Sequence, residues 1–289
     1  MTMKTRLLLA LCCSSSLAFV GCASAPTDAT AALHRAPFIL LGEQHDNPAH
    51  HAARAALLTE LLADGKRTTV VFEQLDRDQD QALKNVAPGA SSQALIEAAG
   101  FDQKGWAWPM HKPIFDAALA GGAAVRGGNI TRDQARQIVR TGAPAWPADI
   151  AALSAATPWS DTQQAALVQD IAQSHCGALP ASLLPGMAQA QRARDAALAQ
   201  AMLNARRDGA ERVVLIAGNG HVRRDRAVPV YLIAAGVAPG AIVSRGYLES
   251  DISAEGAVTA YDGAVKTAGV ARGDVCAGFG KQPGVPTRP

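Results

Sequence analysis

Two copies of the pattern Gly-x-x-His lie almost a whole domain apart in this chain, and each directly follows a short apolar run. Residues 42–45 (GEQH) follow residues 38–41 (FILL), and residues 218–221 (GNGH) follow residues 213–216 (VVLI). Short apolar runs that end at glycine or a polar residue are typical of buried strands. The carboxyl ends of parallel strands meet at one edge of a sheet, where ligands bind. The two histidine turns are therefore expected to lie together.

A third apolar run, residues 70–72, ends on Glu73. We expect four side chains to share one site: Glu43, His45, Glu73 and His221. Neutral imidazole and carboxylate groups bind divalent metals, and a glutamate can activate water. The set therefore indicates a metal-dependent or His/Glu hydrolase, in which these four residues are catalytic or metal-ligating candidates. The alternative for each histidine is a turn residue that is hydrogen-bonded to nearby backbone.

The chain around the first turn indicates the fold class. An Asn-Pro pair at 47–48 begins a helix, leucines at helical spacing follow, Asp-Gly at 64–65 ends it, and a second strand covers 68–72. A strand–helix–strand unit predicts an α/β domain with a mostly parallel central sheet flanked by helices. We assign this domain to residues 37–280. Further segments are predicted as helices at 76–84, 92–99, 114–120, 131–140 and 187–207, as strands at 125–129 and 241–248, as a helix or strand at 228–235, and as a helical insertion, able to form a lid or cofactor wall, at about 142–185.

The N-terminus is typical of a bacterial lipoprotein signal. Lys4 and Arg6 precede an apolar stretch that is too short to span a bilayer and that ends at Gly21-Cys22. We expect a signal peptide at 1–21, lipidation at Cys22, a tether at 22–36 and a disordered tail at 281–289. Cleavage after Ala23 or Ala25 is the alternative. The expected location is the cell envelope, at the outer membrane and facing the periplasm.

Of the five cysteines, Cys12 and Cys13 leave with the signal and Cys22 takes the lipid. The remaining two, Cys176 and Cys276, suggest a disulfide in an oxidising compartment, with two free thiols as the alternative. A net charge of +2 offers no strong field for nucleic acid. The basic cluster at 223–226 is either a solvated turn or a holder of anionic groups.

Several of these motifs together resemble the ChaN family. They are residues 42–50 (GEQHDNPAH), Glu73, residues 106–108 (WAW), residues 128–130 (GNI), a helix with Gln191, Arg194 and Asp195, and residues 218–222 (GNGHV). ChaN-like proteins are bacterial lipoproteins linked to haem and iron uptake, in a superfamily with the Tiki, TraB and erythromycin-esterase proteins. The resemblance implies a lipid-anchored protein that binds haem and serves haem-iron uptake. Its implied partners are the membrane, a second copy of the chain and an outer-membrane haem receptor. Because C-x-x-C-H is absent, such haem would be held non-covalently.

One departure from the family concerns the haem ligand. The family pattern W-x-x-Y-x-P stands here as residues 108–113 (WPMHKP), so His111 replaces the tyrosine. Phenolate and imidazole both bind haem iron. The resemblance therefore implies His111 as a cofactor-binding residue, and Met110, His50, His175 and Trp108 are further candidates from their residue types and positions. The alternatives are a loop position for His111, core filling for Met110, a solvated first-turn position for His50 and a structural role for His175. Arg194 and Asp195 are interpreted as an ion pair that braces the site, with a direct ligand role for either residue as the alternative. Whether the chain is an enzyme stays open.

Overall fold

The computed structural model describes residues 28–87, 89–250 and 260–277. The predicted signal peptide, the lipidation site at Cys22, the first part of the tether and the tail at 281–289 lie outside the described residues. Within the described part of the chain, no helix has the length and apolar character needed to cross a membrane.

The described residues form one six-stranded sheet with the order β3-β2-β4-β1-β5-β6, in which every neighbouring pair is parallel. The strands are β1 (Phe38–Leu41), β2 (Thr68–Asp76), β3 (Ala124–Asn129), β4 (Arg212–Ile216), β5 (Ile242–Glu249) and β6 (Gly263–Thr267). Because β1 and β4 are central and covered on both faces, every residue in them is buried. The predicted α/β fold with a mostly parallel sheet is confirmed.

Helices cover both faces of this sheet. They are α1 (Asp28–Arg35), α2 (Pro48–Leu62), α3 (Asp80–Lys84), α4 (Ser92–Ala99), α5 (Trp108–Ala120), α6 (Arg132–Thr141), α7 (Ala148–Ala155), α8 (Asp161–Ser174), α9 (Leu184–Arg207) and α10 (Val228–Ala234). One apolar core contains Leu58 of α2 and Phe115 of α5, and the other contains Ala197 and Met202 of α9. The run of alanines in α9 lets this long helix pack close to the sheet.

Four segments differ from the expectations. Helix α1 occupies 28–35, and Leu33 is fully buried in the core, so the predicted tether is wrong from residue 28 onwards. Helix α5 begins at Trp108 rather than at 114, which places His111 in a helix and not in a loop. Strand β2 runs to Asp76, past the predicted end at 72, and β6 was not predicted. The 228–235 segment, predicted as a helix or a strand, is a helix.

The predicted insertion at 142–185 contains α7 and α8, which pack against α9. Cys176, just after α8, is joined by a disulfide to Cys276, with the two Cα atoms 5.6 Å apart. The bond ties the end of the insertion to the segment that follows β6.

Candidate functional site

The two histidine turns lie side by side, since β1 and β4 are parallel neighbours. The Asn219 N–H donates to the Glu43 carbonyl at 2.8 Å. A Cβ on Gly42 would lie 2.2 Å from the Asn219 side chain, and one on Gly218 would lie 2.9 Å from His45 Nε2. Glycine is therefore required at 42, whereas a side chain at 218 would displace the imidazole of His45.

Around the second turn, Glu73, Asp195 and His221 form a buried group that we call the His221 cluster. His221 Nδ1 lies 2.7 Å from Asp195 Oδ1, and its Nε2 lies 3.2 Å from Glu73 Oε1. The Gly218 N–H donates to Glu73 Oε2 at 2.6 Å. Both ring nitrogens therefore face carboxylates.

The charges in the His221 cluster follow from these contacts. Burial alone would lower the pKa of His221, but Glu73 and Asp195 raise that pKa to about 10. Burial alone would raise the pKa of Glu73, but His221 and His45 bring it below the usual range. Burial raises the pKa of Asp195 to about 6. The cluster at neutral pH is an imidazolium between two carboxylates.

Around the first turn, Glu43, His45, His51, Arg54 and His111 form the Glu43 cluster. Arg54 is fully buried and makes an ion pair with Glu43 Oε2. Glu43 Oε1 accepts from His45 Nδ1 at 2.8 Å and from Gln74 Nε2 at 3.2 Å. The His45 side chain is 46% exposed, and its Nε2 lies 4.0 Å from Glu73 Oε1. His45 is thus the link between the two clusters.

The other histidines of the Glu43 cluster are neutral. His51 Nε2 lies 2.8 Å from the His45 carbonyl, and His51 Nδ1 lies 3.2 Å from Arg54 Nη2. Nε2–H therefore donates to the carbonyl and Nδ1 accepts from Arg54. Burial lowers the pKa of His51 and lowers that of His111 to about 2. His111 packs edge-to-face against His51 and Trp106, and its Nδ1 has no hydrogen-bond partner.

Among the described residues, Glu43, His51 and His111 have potential ligand atoms within 4.8 Å of one another. This set shares Glu43 alone with the predicted metal set of Glu43, His45, Glu73 and His221. Arg54 already supplies a cation to Glu43, and His221 has both nitrogens facing carboxylates. The structure brings the four predicted residues together but does not arrange them as four free metal ligands.

A cavity of about 490 Å³ adjoins the His221 cluster through Glu73. Trp106 lies on its wall and packs edge-to-face against His45, with ring centroids 5.2 Å apart. Arg194 also lines the cavity, and its Nη1 donates to Asn129 Oδ1 at 2.7 Å. The predicted ion pair between Arg194 and Asp195 is therefore wrong. Asp195, the residue that follows Arg194 on α9, pairs with His221 instead.

Several predicted cofactor residues lie elsewhere. Trp108 is buried among Phe101 and Phe115 and donates to Gln93, so it belongs to the core and does not flank a ligand. His50 is fully buried and accepts from the Gln44 N–H. Met110 is half-buried.

Two further predicted regions do not contribute to the cavity. His175 follows α8, where its Nδ1 lies 2.8 Å from the Ile171 carbonyl. No described residue of 142–185 lines the cavity, so the insertion forms no wall there. The basic cluster at 223–226 is taken up by ion pairs to Asp170, Asp225 and Asp262, which favours the solvated-turn interpretation.

Sequence reasoning missed the pairing of Arg54 with Glu43 and the part played by His51. The signal was present as a fixed spacing, since Arg54 follows His51 by three residues and so lies on the same face of α2. Asn129 was noted only as a motif residue, yet its Nδ2 donates to the Glu73 carbonyl at 2.9 Å.

Comparison with known proteins identifies the family. The model described as haem-binding uptake, Tiki superfamily, ChaN matches residues 29–232. The chain belongs to the ChaN family. A structure titled as cofacial haem binding to ChaN of Campylobacter jejuni is 21% identical, with a TM-score of 0.64, and the alignment covers 76% of this chain and 84% of that one. This similarity shows a shared fold.

More distant similarities are to an erythromycin esterase mutant in its open conformation and to a type III effector. The esterase is 13% identical with a TM-score of 0.43, over 76% of this chain and 72% of that one. The effector is 12% identical with a TM-score of 0.39, over 80% and 88%. A search of curated proteins gives no significant match.

Proposed function

We propose that this ChaN-family chain is a lipid-anchored protein of the bacterial envelope that binds haem and serves haem-iron uptake. The observation that carries the proposal is the family match over residues 29–232. The charged start, apolar stretch and Gly21-Cys22 junction support an anchor at the outer membrane, facing the periplasm. The haem receptor of that membrane is the partner that such a role implies.

The residues beside the cavity fit haem as a ligand. His45 exposes nearly half of its side chain, and the half-buried Trp106 packs against it. Imidazole is a common axial ligand of haem iron, and an indole can pack against a porphyrin. His111, at the position of the family tyrosine, is 1% exposed and packs against the same Trp106, and its Nδ1 is unpaired. Haem can reach His111 only if that contact with Trp106 opens.

Absorption titration with haemin tests the proposal. The wild type is expected to give a saturable Soret change above an albumin-like background. His111→Ala should shift the band and weaken binding. His34→Ala is the control, because this histidine of α1 pairs with Glu60 of α2. An unchanged band in His111→Ala with an altered one in His45→Ala moves the ligand to His45. Failure of the wild type to bind haemin removes the function.

The proposal includes a homodimer. A site that is open on one side leaves one porphyrin face in water, and a second chain would cover it. Sedimentation with and without haemin should show a dimer that forms or strengthens with the ligand. A monomer at saturating haemin would reject the dimer and leave haem binding intact.

Lipidation at Cys22 has its own test. Acyl chains add about 0.8 kcal/mol of membrane affinity per buried CH₂. Cys22→Ser should abolish labelled palmitate incorporation and release the chain from membranes. Retained label in that variant would contradict the anchor.

A second candidate is a hydrolase, and the geometry of His45 favours it. The Nδ1–H of His45 donates to Glu43 Oε1, and its Nε2 faces Glu73 Oε1 at 4.0 Å across the gap between the clusters. A carboxylate that orients an imidazole is the arrangement of a general base. Because Arg54 already neutralises Glu43, the His/Glu form fits better than the metal-dependent form. Ester and peptide hydrolysis by the wild type and by His45→Ala, with metal analysis of the purified protein, tests it.

A further inference from the structure

The three arginines that line the cavity differ in their partners. Arg132 makes an ion pair with Asp102 at 2.8 Å, and Arg136 makes one with Asp133. Arg194 has no ion pair within 4.0 Å of a carboxylate among the described residues. Its guanidinium is half-buried, and the carboxylates of Glu73 and Asp76 act on its charge only from beyond ion-pair distance.

The position of Arg194 is set by a neutral group. Asn129 Nδ2 donates to the Glu73 carbonyl, so Asn129 Oδ1 faces Arg194 and accepts from its Nη1 at 2.7 Å. An amide oxygen orients a guanidinium but does not neutralise it. A half-buried charge without a partner is costly, and a planar anion that offers two oxygens is its best match. The rest of the guanidinium fork is available to the cavity.

The other carboxylates on the cavity wall are not equivalent. Glu73 is engaged by His221 and by the Gly218 N–H. Asp102 and Asp133 have their own arginines. Asp76 is the remaining carboxylate that lines the cavity, and it would repel a second negative group on a ligand. Arg194 therefore suits a single carboxylate, and a second anionic group on the same ligand would have to lie away from Asp76.

We propose that Arg194 binds the carboxylate of a ligand that enters this cavity. Two sources have this chemistry: a propionate of haem and a free monocarboxylic acid, such as the acid product of an ester hydrolase. The first source rests on the proposed haem-binding function, and the second does not.

Haemin and haemin dimethyl ester, whose propionates are blocked, distinguish the sources. With a propionate at Arg194, Arg194→Gln should weaken haemin binding about tenfold, or about 1.4 kcal/mol, and leave ester binding unchanged. Arg132→Gln is the matched control, because Arg132 lines the same cavity but is already paired; it should change neither ligand by more than about twofold. Arg194→Lys keeps the charge without the fork and should bind haemin with intermediate affinity. It also serves if Arg194→Gln fails to fold.

Benzoate tests the second source by calorimetry without haemin. If a free acid is the ligand, benzoate should bind the wild type and lose at least about tenfold in affinity in Arg194→Gln, with haemin binding unchanged. If the wild type binds neither haem form but binds benzoate through Arg194, the haem function fails and this inference stands. If Arg194→Gln and Arg194→Lys match the wild type with haemin, its ester and benzoate, the inference is overturned.

Discussion

The two clusters come from copies of one motif, yet they neutralise their buried carboxylates with different cations. In the Glu43 cluster the cation is the guanidinium of Arg54, and burial keeps His51 and His111 neutral by lowering the pKa of each. In the His221 cluster no arginine makes an ion pair with Glu73 or Asp195 among the described residues, and the imidazole itself carries the charge.

This difference separates the roles of the two motif histidines. His221 has both nitrogens committed to carboxylates and is 7% exposed in its side chain, so it holds β2, α9 and the second turn together. His45 is half-exposed and commits only Nδ1, so its Nε2 is available to a ligand or a proton. The motif therefore supplies one structural imidazolium and one available imidazole.

The largest expected effect comes from removing the arginine. Arg54→Met leaves Glu43 buried without its cation and should lower the free energy of unfolding by about 3–5 kcal/mol in urea. Arg67→Met, which breaks an exposed ion pair with Glu211, should cost less than about 1 kcal/mol. If the comparison holds, His51 takes over the positive charge in Arg54→Met and its pKa rises. Histidine NMR measures this pKa. A near-neutral Arg54→Met would show that Glu43 does not depend on the guanidinium.

The second effect concerns the imidazolium. Asp195→Asn should lower the pKa of His221 from about 10 and cost about 1.5–3 kcal/mol at neutral pH, the range for a hydrogen bond to a charged group. The stabilisation that comes from a pKa raised in the folded state is complete below the ordinary value of 6.5. It is lost as pH rises through the folded-state value. The wild type should therefore lose stability from about pH 6.5 up to about pH 10, whereas the loss in the variant should end at its lower folded-state pKa. Equal pH profiles for the two proteins would break the comparison.

The sequence predicted the convergence of the site but not its charge balance. Strand ends are readable at Gly42 and Gly218, because an apolar run that stops there marks the carboxyl edge of a parallel sheet, whereas β2 continues past Glu73 to Asp76. The Arg54–Glu43 pair depends on how α2 packs against β1, which no local pattern encodes. Asp195 was assigned to Arg194, since adjacent charges on a helix suggest a pair, although neighbours in sequence point to different faces of a helix.

The aromatic residues show the same limit. Trp106 and Trp108 are two residues apart, and the sequence offered no reason to separate them. The start of α5 at Trp108, after Ala107 at a φ of 47°, turns Trp108 into the core and leaves Trp106 at the cavity. Helix α1 was missed because Leu33 is the single large apolar residue in a stretch typical of a tether.

The third prediction concerns the loss of stability at acidic pH. A histidine whose pKa is lowered in the folded state stabilises the fold at pH values above its ordinary pKa of 6.5. This stabilisation is lost as pH falls, because the unfolded chain takes up the proton. His111→Tyr restores the residue typical of the family and removes this titration. Between pH 7 and pH 5 the wild type should lose about 2 kcal/mol more than the variant, at about 1.4 kcal/mol per pH unit below 6.5. Parallel losses in the two proteins would place His111 in contact with solvent.

The smallest effect on stability is expected at His45. His45→Ala removes one hydrogen bond from Glu43 Oε1, but Gln74 and Arg54 still serve this carboxylate, and half of the ring was already in water. The cost should be less than about 1 kcal/mol. Diethyl pyrocarbonate sharpens the comparison, since it acylates accessible neutral imidazoles. Peptide mapping by mass spectrometry should find His45 modified well before His221, which is buried and protonated. Comparable rates at the two residues would mean that the two copies of the motif are not divided between an available imidazole and a structural imidazolium.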